Sequence, residues 1–145
     1  MTVVERQITI NAPAETVFNY LADINRHVEW SGHELAVEQT SPGPVAQGST
    51  FSTVGHMMGT HKATVKVTEL TPSTRIAFEA ADDMGHFCHR FGLEGEGNTT
   101  RLTKSCESTS LSGVFKVISP IADRLLVPRV LDGDLQRIKE KLEAS

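Results

Sequence analysis

Polar and apolar residues alternate from Gly32 to about Glu107, and this period of two constrains the fold more than any other feature of the chain. Turn-forming stretches such as "SPGP", "TPS" and "EGEGN" interrupt the alternation at short intervals. Connections this short join antiparallel neighbours, so the sequence predicts a meander. Its strands are predicted at residues 33–40, 49–57, 60–70, 74–81, 86–95 and 99–108.

A strand and two short helical segments precede the meander. Residues 3–10 alternate well enough for a first strand, which brings the predicted sheet to seven. Pro13 suits the first turn of a helix because its φ is fixed and it lacks an N–H group. Apolar residues then follow at helical spacing: Val17, Phe18 and Leu21. A second short turn at 25–31 should carry Trp30 into the interior.

The C-terminal part returns to a helical period. One apolar stripe is predicted to pack on the concave side of the sheet, the only large surface available: Val114, Ile118, Ile121, Leu125, Leu131, Leu135, Ile138 and Leu142. The charged residues around it should face solvent: Arg124, Arg129, Asp132, Asp134, Lys139, Glu140 and Lys141. We expect a short helix up to Ser119, a restart at Pro120 and a bend near Pro128.

Composition limits the class of protein. The 145 residues suit one domain, residues 1–145, and a net charge of −4 argues against nucleic-acid binding by bulk electrostatics. With no long apolar run and no secretory leader, we expect a cytoplasmic protein without integral membrane contact. Two cysteines, Cys88 and Cys106, are too few for a disulfide framework or a structural zinc site. No cofactor is expected, and a homodimer is left open.

Several motifs resemble a known family. The pattern aP-x-x-V-[FW]-x-x-[LI]-x-D … W is carried by Pro13, Val17, Phe18, Leu21, Asp23 and Trp30. With "GSTF", "VTELTPSTRIAFE" and "NTTRLT", the chain resembles the polyketide cyclase/dehydrase-like family of the START-like superfamily. The resemblance implies an α+β helix-grip fold, in which a strongly bent seven-stranded antiparallel sheet wraps around a long C-terminal helix. It also implies a cavity between sheet and helix that takes an apolar molecule, with the two short helices closing its narrow end.

Strand alternation identifies the side chains that should face such a cavity. In "HFCHRFGL" the odd positions, and in "TTRLTKSCES" the even ones, are predicted to point inward. The parity of residues 50–67 is left open, because the length of the turn near residues 58–60 decides it. The predicted lining is Trp30, Phe51, Val65, Val67, Phe78, Phe87, His89, Phe91, Leu102, Lys104, Cys106, Phe115, Ile118, Ile121 and Leu125.

Two polar residues in this lining are the candidate functional site. A two-residue turn at Glu96-Gly97 would place His89 opposite Lys104, with Phe91 opposite Leu102 and Phe87 opposite Cys106. His89 could then transfer a proton, and Lys104 could bind an acidic ligand group or stabilise an enolate. In the structural alternative Lys104 extends to the sheet edge and His89 bonds a backbone carbonyl.

A second cluster lies at the predicted turn between residues 57 and 60. His56 and His61 flank this turn and, with one more ligand, could form a zinc site, although two exposed histidines are the ordinary explanation. Met57 and Met58 at its tip are flexible and apolar, which suits a gate for varied ligands or a small exposed patch.

Three functions remain open from the sequence. The first is the binding of a small hydrophobic molecule, such as a lipid, a polyketide or an aromatic compound, beneath the C-terminal helix. The second is a cyclase or dehydratase that works without metal, with His89 as general base and Lys104 as electrostatic stabiliser. The third is a protein-interaction module that uses the outer face and needs no open cavity.

Overall fold

The fold is seen in a computed structural model that describes residues 2–32, 34–56, 59–83, 85–111, 121 and 124–144. Its strands are β1 (Thr2–Ile10), β2 (Glu34–Gln39), β3 (Thr50–His56), β4 (Thr60–Thr71), β5 (Arg75–Asp82), β6 (Gly85–Glu96) and β7 (Thr99–Leu111). Its helices are α1 (Ala14–Ala22), a 3-10 helix (Ile24–Glu29) and α2 (Val127–Glu143).

The seven strands form one antiparallel sheet in the order β1-β7-β6-β5-β4-β3-β2. Strands β2 to β7 are a meander, and β1 pairs with the last strand, as the sequence predicts. The pairing register shifts between Val67 and Glu69 on β4 and between His86 and Phe87 on β6. Such bulges bend and twist a strand, so they contribute to the curvature that gives the sheet a concave face.

The β6–β7 hairpin corrects the predicted register. Glu96 pairs with Thr99, so the two-residue turn is Gly97-Asn98 and not Glu96-Gly97. Gly97 has a φ of +61°, and a hairpin turn with a positive φ at its first central residue strongly prefers glycine there. From Phe87 to Glu96, each residue of β6 therefore meets a β7 residue two positions further along than predicted, while the inward and outward faces stay the same.

Helix α1 and the 3-10 helix cover one end of the concave face. Val17, Phe18, Tyr20 and Leu21 of α1 are buried, and Trp30 at the end of the 3-10 helix is 2% exposed. Gly95 of β6 permits the close approach of α1, because a Cβ there would lie 2.8 Å from the Cβ of Ala14. The opening segment of the chain is thus a cap on the end of the sheet that carries the β6–β7 hairpin.

Helix α2 lies against β1 and buries part of the predicted stripe. Leu131, Leu135, Ile138 and Leu142 are buried. Ile121 and Leu125 are 63% and 59% exposed, so the prediction that they continue this stripe is wrong. A spacing of six residues, as between Leu125 and Leu131, rotates a side chain by about 120° around a regular helix. Val114, Ile118 and the expected helix up to Ser119 lie outside the described residues.

Polar contacts fix α2 along β1. Arg6 forms an ion pair with Asp132 at 2.8 Å, and Nζ of Lys139 donates to the carbonyl oxygen of Thr9 at 2.8 Å. The backbone N–H of Asn11 donates to Glu143 near the C-terminal end of the helix, also at 2.8 Å. In the part of the chain that the structure describes, no helix is long and apolar enough to cross a membrane.

Candidate functional site

Burial divides the concave face of the sheet into two halves. Near the α1 end, Ile10, Leu93 and Leu102 have between 0% and 6% of their surface exposed and belong to the packed core. Towards the opposite end Thr53 and His61 are also buried, but several other inward-facing residues are only half-buried: Val4, Ala63, Ala80, Phe87, His89 and Cys106. Side chains on the concave face of a sheet that keep exposed surface indicate space above them.

Lys104 lies at the boundary between these halves and is paired with a buried carboxylate. Its Nζ donates to Oδ2 of Asp134 at 3.2 Å, and the two side chains are 3% and 0% exposed. The other oxygen of Asp134 accepts from Arg137 at 2.7 Å and from the backbone N–H of Gly32 at 2.9 Å. Arg137 also donates from Nε to the carbonyl oxygen of Trp30 at 2.7 Å. A buried carboxylate requires this number of donors to offset the loss of water.

This network changes the interpretation of two residues. Asp134 was expected to face solvent, but it is fully buried and joins α2 to both the sheet and the end of the 3-10 helix. Its spacing from Leu131 and Leu135 places it within the buried stripe, and an acidic residue at such a position is the signal in the sequence. The charge of Lys104 is compensated by Asp134, so this lysine does not need a ligand anion as its partner.

Aromatic rings surround the Lys104 side chain. Its Nζ lies 4.6 Å from the Trp30 ring centroid and 5.3 Å from that of Phe91, distances suited to cation–π contacts. Trp30 and Phe91 pack edge to face at 5.7 Å. The Lys104 stem and these rings form the boundary between the packed half of the concave face and its half-buried half.

His27 of the 3-10 helix belongs to the same cluster and was not singled out from the sequence. Its ring lies 4.6 Å from that of Trp30 and 5.4 Å from that of Phe78. Nε2 is 2.9 Å from the carbonyl oxygen of Leu21, which can only accept, so Nε2 carries the proton. Burial lowers the pKa of His27 to about 4, and this histidine is neutral at physiological pH.

The indole N–H of Trp30 is a buried donor without an acceptor among the described residues. Such groups are uncommon in folded proteins, because an unpaired buried donor costs about 1–3 kcal/mol. The atom has almost no accessible surface, so it lies inside the packed cluster and not at the edge of the half-buried region.

The observed hairpin register places two residues of the predicted lining, His89 and Cys106, directly opposite each other. His89 pairs with Cys106, and Phe91 with Lys104, so the predicted direct pair of His89 and Lys104 is wrong. His89 also stacks on Phe78, with ring centroids 5.0 Å apart and planes inclined by 18°. Cys88 alternates with His89 and faces outward, and both cysteines are reduced thiols.

His61 and His56 lie on opposite faces of the sheet. His61 pairs with Gly55 on the concave face, whereas His56 pairs with Thr60 on the outer face. Nδ1 of His61 is 2.5 Å from Oδ1 of Asp83. The described residues contain no group of three or more His, Cys, Asp or Glu that could hold a metal ion. Met57 and Met58 fall outside the described residues.

A shallow depression of about 260 Å³ lies on the outer face of the sheet. Gly92 and Ala77 supply little side-chain bulk at its centre, and Arg75 and Arg90 supply cationic groups at its edges. Glu107, 3.6 Å from Arg90, already offsets part of that charge. The depression is separate from the predicted concave-face site.

The structure therefore distributes the predicted lining among four groups. The buried members are Trp30, Phe51, Val65, Val67, Phe78, Phe91, Leu102 and Lys104. Phe87, His89 and Cys106 are half-buried, and Ile121 and Leu125 are exposed and do not cover the sheet. Phe115 and Ile118 lie outside the described residues. The burial of Phe51 and Val65 on one face also resolves the parity of residues 50–67, since both face inward.

A bent antiparallel sheet, two short helices after its first strand and a C-terminal helix across its concave face define a START-like, helix-grip protein. Residues 1–144 match the family described as polyketide cyclase/dehydrase and lipid transport, and the chain belongs to that family. No curated protein matches the chain in a sequence search.

Solved structures of low sequence identity share this fold. One is a protein of Thermus thermophilus, with 16% identity, a TM-score of 0.81 and coverage of 99% of this chain and 98% of that chain. The Zhui aromatase/cyclase from Streptomyces sp. R1128 has 21% identity, a TM-score of 0.79 and coverage of 98% and 93%. A START superfamily protein from Mycobacterium smegmatis has 15% identity, a TM-score of 0.78 and coverage of 98% and 97%. These similarities describe the fold.

Proposed function

We propose that the protein binds a small hydrophobic molecule above the half-buried part of the concave face. The observation that carries this proposal is the change in burial along the sheet. The inward side chains of Ala80, Phe87 and Cys106 retain exposed surface, although those at the α1 end of the same face are fully packed. Membership of a family described by both cyclase activity and lipid transport supports an apolar ligand.

The chemistry of this region favours a flat apolar ligand. Phe87 offers aromatic surface, and Ala63 and Ala80 are small enough to leave room for rings or an acyl chain. Affinity would come mainly from apolar area removed from water, at about 25 cal/mol per Å².

Two adjacent alanines of β5 provide a matched test of the site. Ala80 faces inward opposite Phe87, whereas Ala81 faces outward opposite His86, and both are half-buried. In Ala80→Phe the new ring occupies the space above the sheet, so 1-anilinonaphthalene-8-sulfonate should bind at least about tenfold more weakly. Energy transfer from Trp30, the single tryptophan, measures this binding directly.

The outward variant is the control. Ala81→Phe should bind the probe as the wild type does, with both variants showing native circular dichroism and a cooperative melting transition. Equal affinity in Ala80→Phe and wild type would contradict the proposed site. Native mass spectrometry of the purified protein would then be used to look for a co-purifying lipid or aromatic compound.

The enzymatic alternative has weaker support from the described side chains. A cyclase mechanism with Lys104 as the stabiliser of an enolate needs that ammonium group available to substrate, and Asp134 already binds it. The interaction-module alternative would use the depression on the outer face, whose open lining of mixed polar and apolar surface gives no indication of a particular partner.

A further inference from the structure

Cys106 and His89 face each other across the β6–β7 pair, in the half-buried part of the concave face. Directly paired residues of an antiparallel sheet have Cβ atoms about 4.5–5.5 Å apart, so a thiol and an imidazole in these positions can exchange a proton. The stack of His89 on Phe78 restricts the orientation of the imidazole ring.

We infer that Cys106, with His89 as its proton acceptor, is a covalent attachment site for apolar α,β-unsaturated ketones. The inference rests on the proposed function, because such a ligand must first enter the space above the sheet. Imidazole accepts the thiol proton, and the thiolate is the nucleophile that reacts with electrophilic carbon. An isolated thiol in this apolar setting would react slowly, since burial disfavours the thiolate.

The reaction is an addition, so all atoms of the ligand are retained. The sulfur of Cys106 forms a bond to the β-carbon of the ketone, and the carbon–carbon double bond becomes an enolate. The proton taken up by His89 then returns to the α-carbon, which leaves a saturated ketone linked through a thioether. No oxidant, reductant or leaving group is required.

The surroundings also select the ligand class. Phe87 lies two residues before His89 on the same strand and provides an aromatic wall, so the favoured electrophile carries aromatic or other apolar groups. Trp30 lies over Lys104, which is the inward-facing neighbour of Cys106 on β7. The Trp30 ring, 2% exposed, therefore bounds the site on that side.

The two cysteines allow a direct test with chalcone, a diaryl enone, and intact-protein mass spectrometry. The wild type and Cys88→Ser should each gain the mass of one chalcone molecule, located at Cys106 by peptide mapping. Cys106→Ser should gain none. Labelling of Cys88 at the same rate as Cys106, or no labelling of Cys106, would overturn the inference.

The role of His89 has its own measurement. His89→Phe keeps a ring against Phe78 but removes the base, so labelling at pH 7 should slow by about 10²-fold or more. Raising the pH towards 9 should restore much of the rate, because the thiolate then forms without a neighbouring base. Equal rates in the variant and wild type at pH 7 would remove His89 from the mechanism.

A saturated analogue separates this inference from the proposed function. Dihydrochalcone cannot react with a thiol, and its binding to Cys106→Ser is measured by the change in Trp30 fluorescence. Binding of dihydrochalcone without labelling of the wild type by chalcone would refute covalent attachment and leave the proposed function standing. Absence of both would refute the two together.

Discussion

His27 shows what burial does to a single ionisable side chain. Its imidazole is enclosed by Trp30 and Phe78, and it keeps one hydrogen bond, from Nε2 to the carbonyl oxygen of Leu21. Protonation would place a charge in this apolar setting, and desolvation therefore lowers the pKa to about 4 from its ordinary value of 6.5. Lys104 nearby also disfavours a second positive charge.

This pKa shift makes the stability of the protein depend on pH. Between about pH 6.5 and pH 4 the unfolded chain holds a proton on His27 that the folded chain does not, so the free energy of unfolding falls as the pH falls. The total loss across this window is about 3 kcal/mol. Urea denaturation at a series of pH values measures it.

A glutamine variant tests the assignment to His27. In His27→Gln the side-chain amide can still donate to the carbonyl oxygen of Leu21, but it cannot titrate, so the fall between pH 6.5 and pH 4 should largely disappear. The exposed His86 supplies the matched variant, His86→Gln, which should retain the wild-type slope. An unchanged slope in His27→Gln would show that another group governs the acid response.

At the scale of elements, the position of α2 depends on a carboxylate as well as on its apolar stripe. Asp134 joins β7 through Lys104 and the end of the 3-10 helix through Gly32. Asp132, two residues earlier, makes an ion pair with Arg6 in which both side chains are about half exposed, at 47% and 48%. The two aspartates therefore allow a buried ion pair and an exposed ion pair to be compared on the same helix.

Removing the buried carboxylate should be costly. Asp134→Ala leaves Lys104 buried without its partner, and the expected loss in the free energy of unfolding is about 3–5 kcal/mol. Asp132→Ala removes an exposed pair and should cost less than about 1 kcal/mol. Chemical denaturation compares them, and the double variant Lys104→Met with Asp134→Leu should recover much of the loss. Equal costs for the two alanine variants would rule out the special role of Asp134.

Whether each of these features could be predicted depends on how far apart in the sequence the interacting residues lie. Strand positions and the buried stripe of α1 depend on local periodicity, which the sequence displays, whereas the capping position of α1 was implied by the family resemblance. The β6–β7 register depends on which residue adopts the positive φ of the turn. Glu96-Gly97 and Gly97-Asn98 both contain a glycine, so the sequence alone does not decide between them. The partners of Asp134 are up to 102 residues away in the chain, and periodicity carries no information about them.

The candidate site was predicted in part for the same reason. Alternation identified the inward faces of β6 and β7, so His89, Lys104 and Cys106 were all expected on the concave side. Their grouping depended on the register, and the correction moved Cys106 into the position opposite His89. Ile121 and Leu125 were misplaced because a stripe with a six-residue gap was treated as one regular helix.

At the scale of the whole molecule, the two halves of the concave face imply two levels of local stability. The half beneath α1 combines fully buried side chains with long antiparallel pairing, and local opening there requires loss of the core. The opposite half is less completely packed, and a ligand bound there would replace the missing contacts. Hydrogen–deuterium exchange with mass spectrometry resolves the two halves by peptide.

Saturation with 1-anilinonaphthalene-8-sulfonate should therefore slow exchange unevenly. Peptides covering Phe78–Arg90 and Lys104–Ser110 should become several-fold slower, because the probe binds only states in which their walls are assembled. The hairpin peptide Leu93–Leu102 should change little, since its protection already reflects global unfolding. Ala80→Phe, which fills the site, should show neither effect. Slowing confined to the hairpin half, or identical slowing in Ala80→Phe, would place the bound molecule elsewhere on the protein.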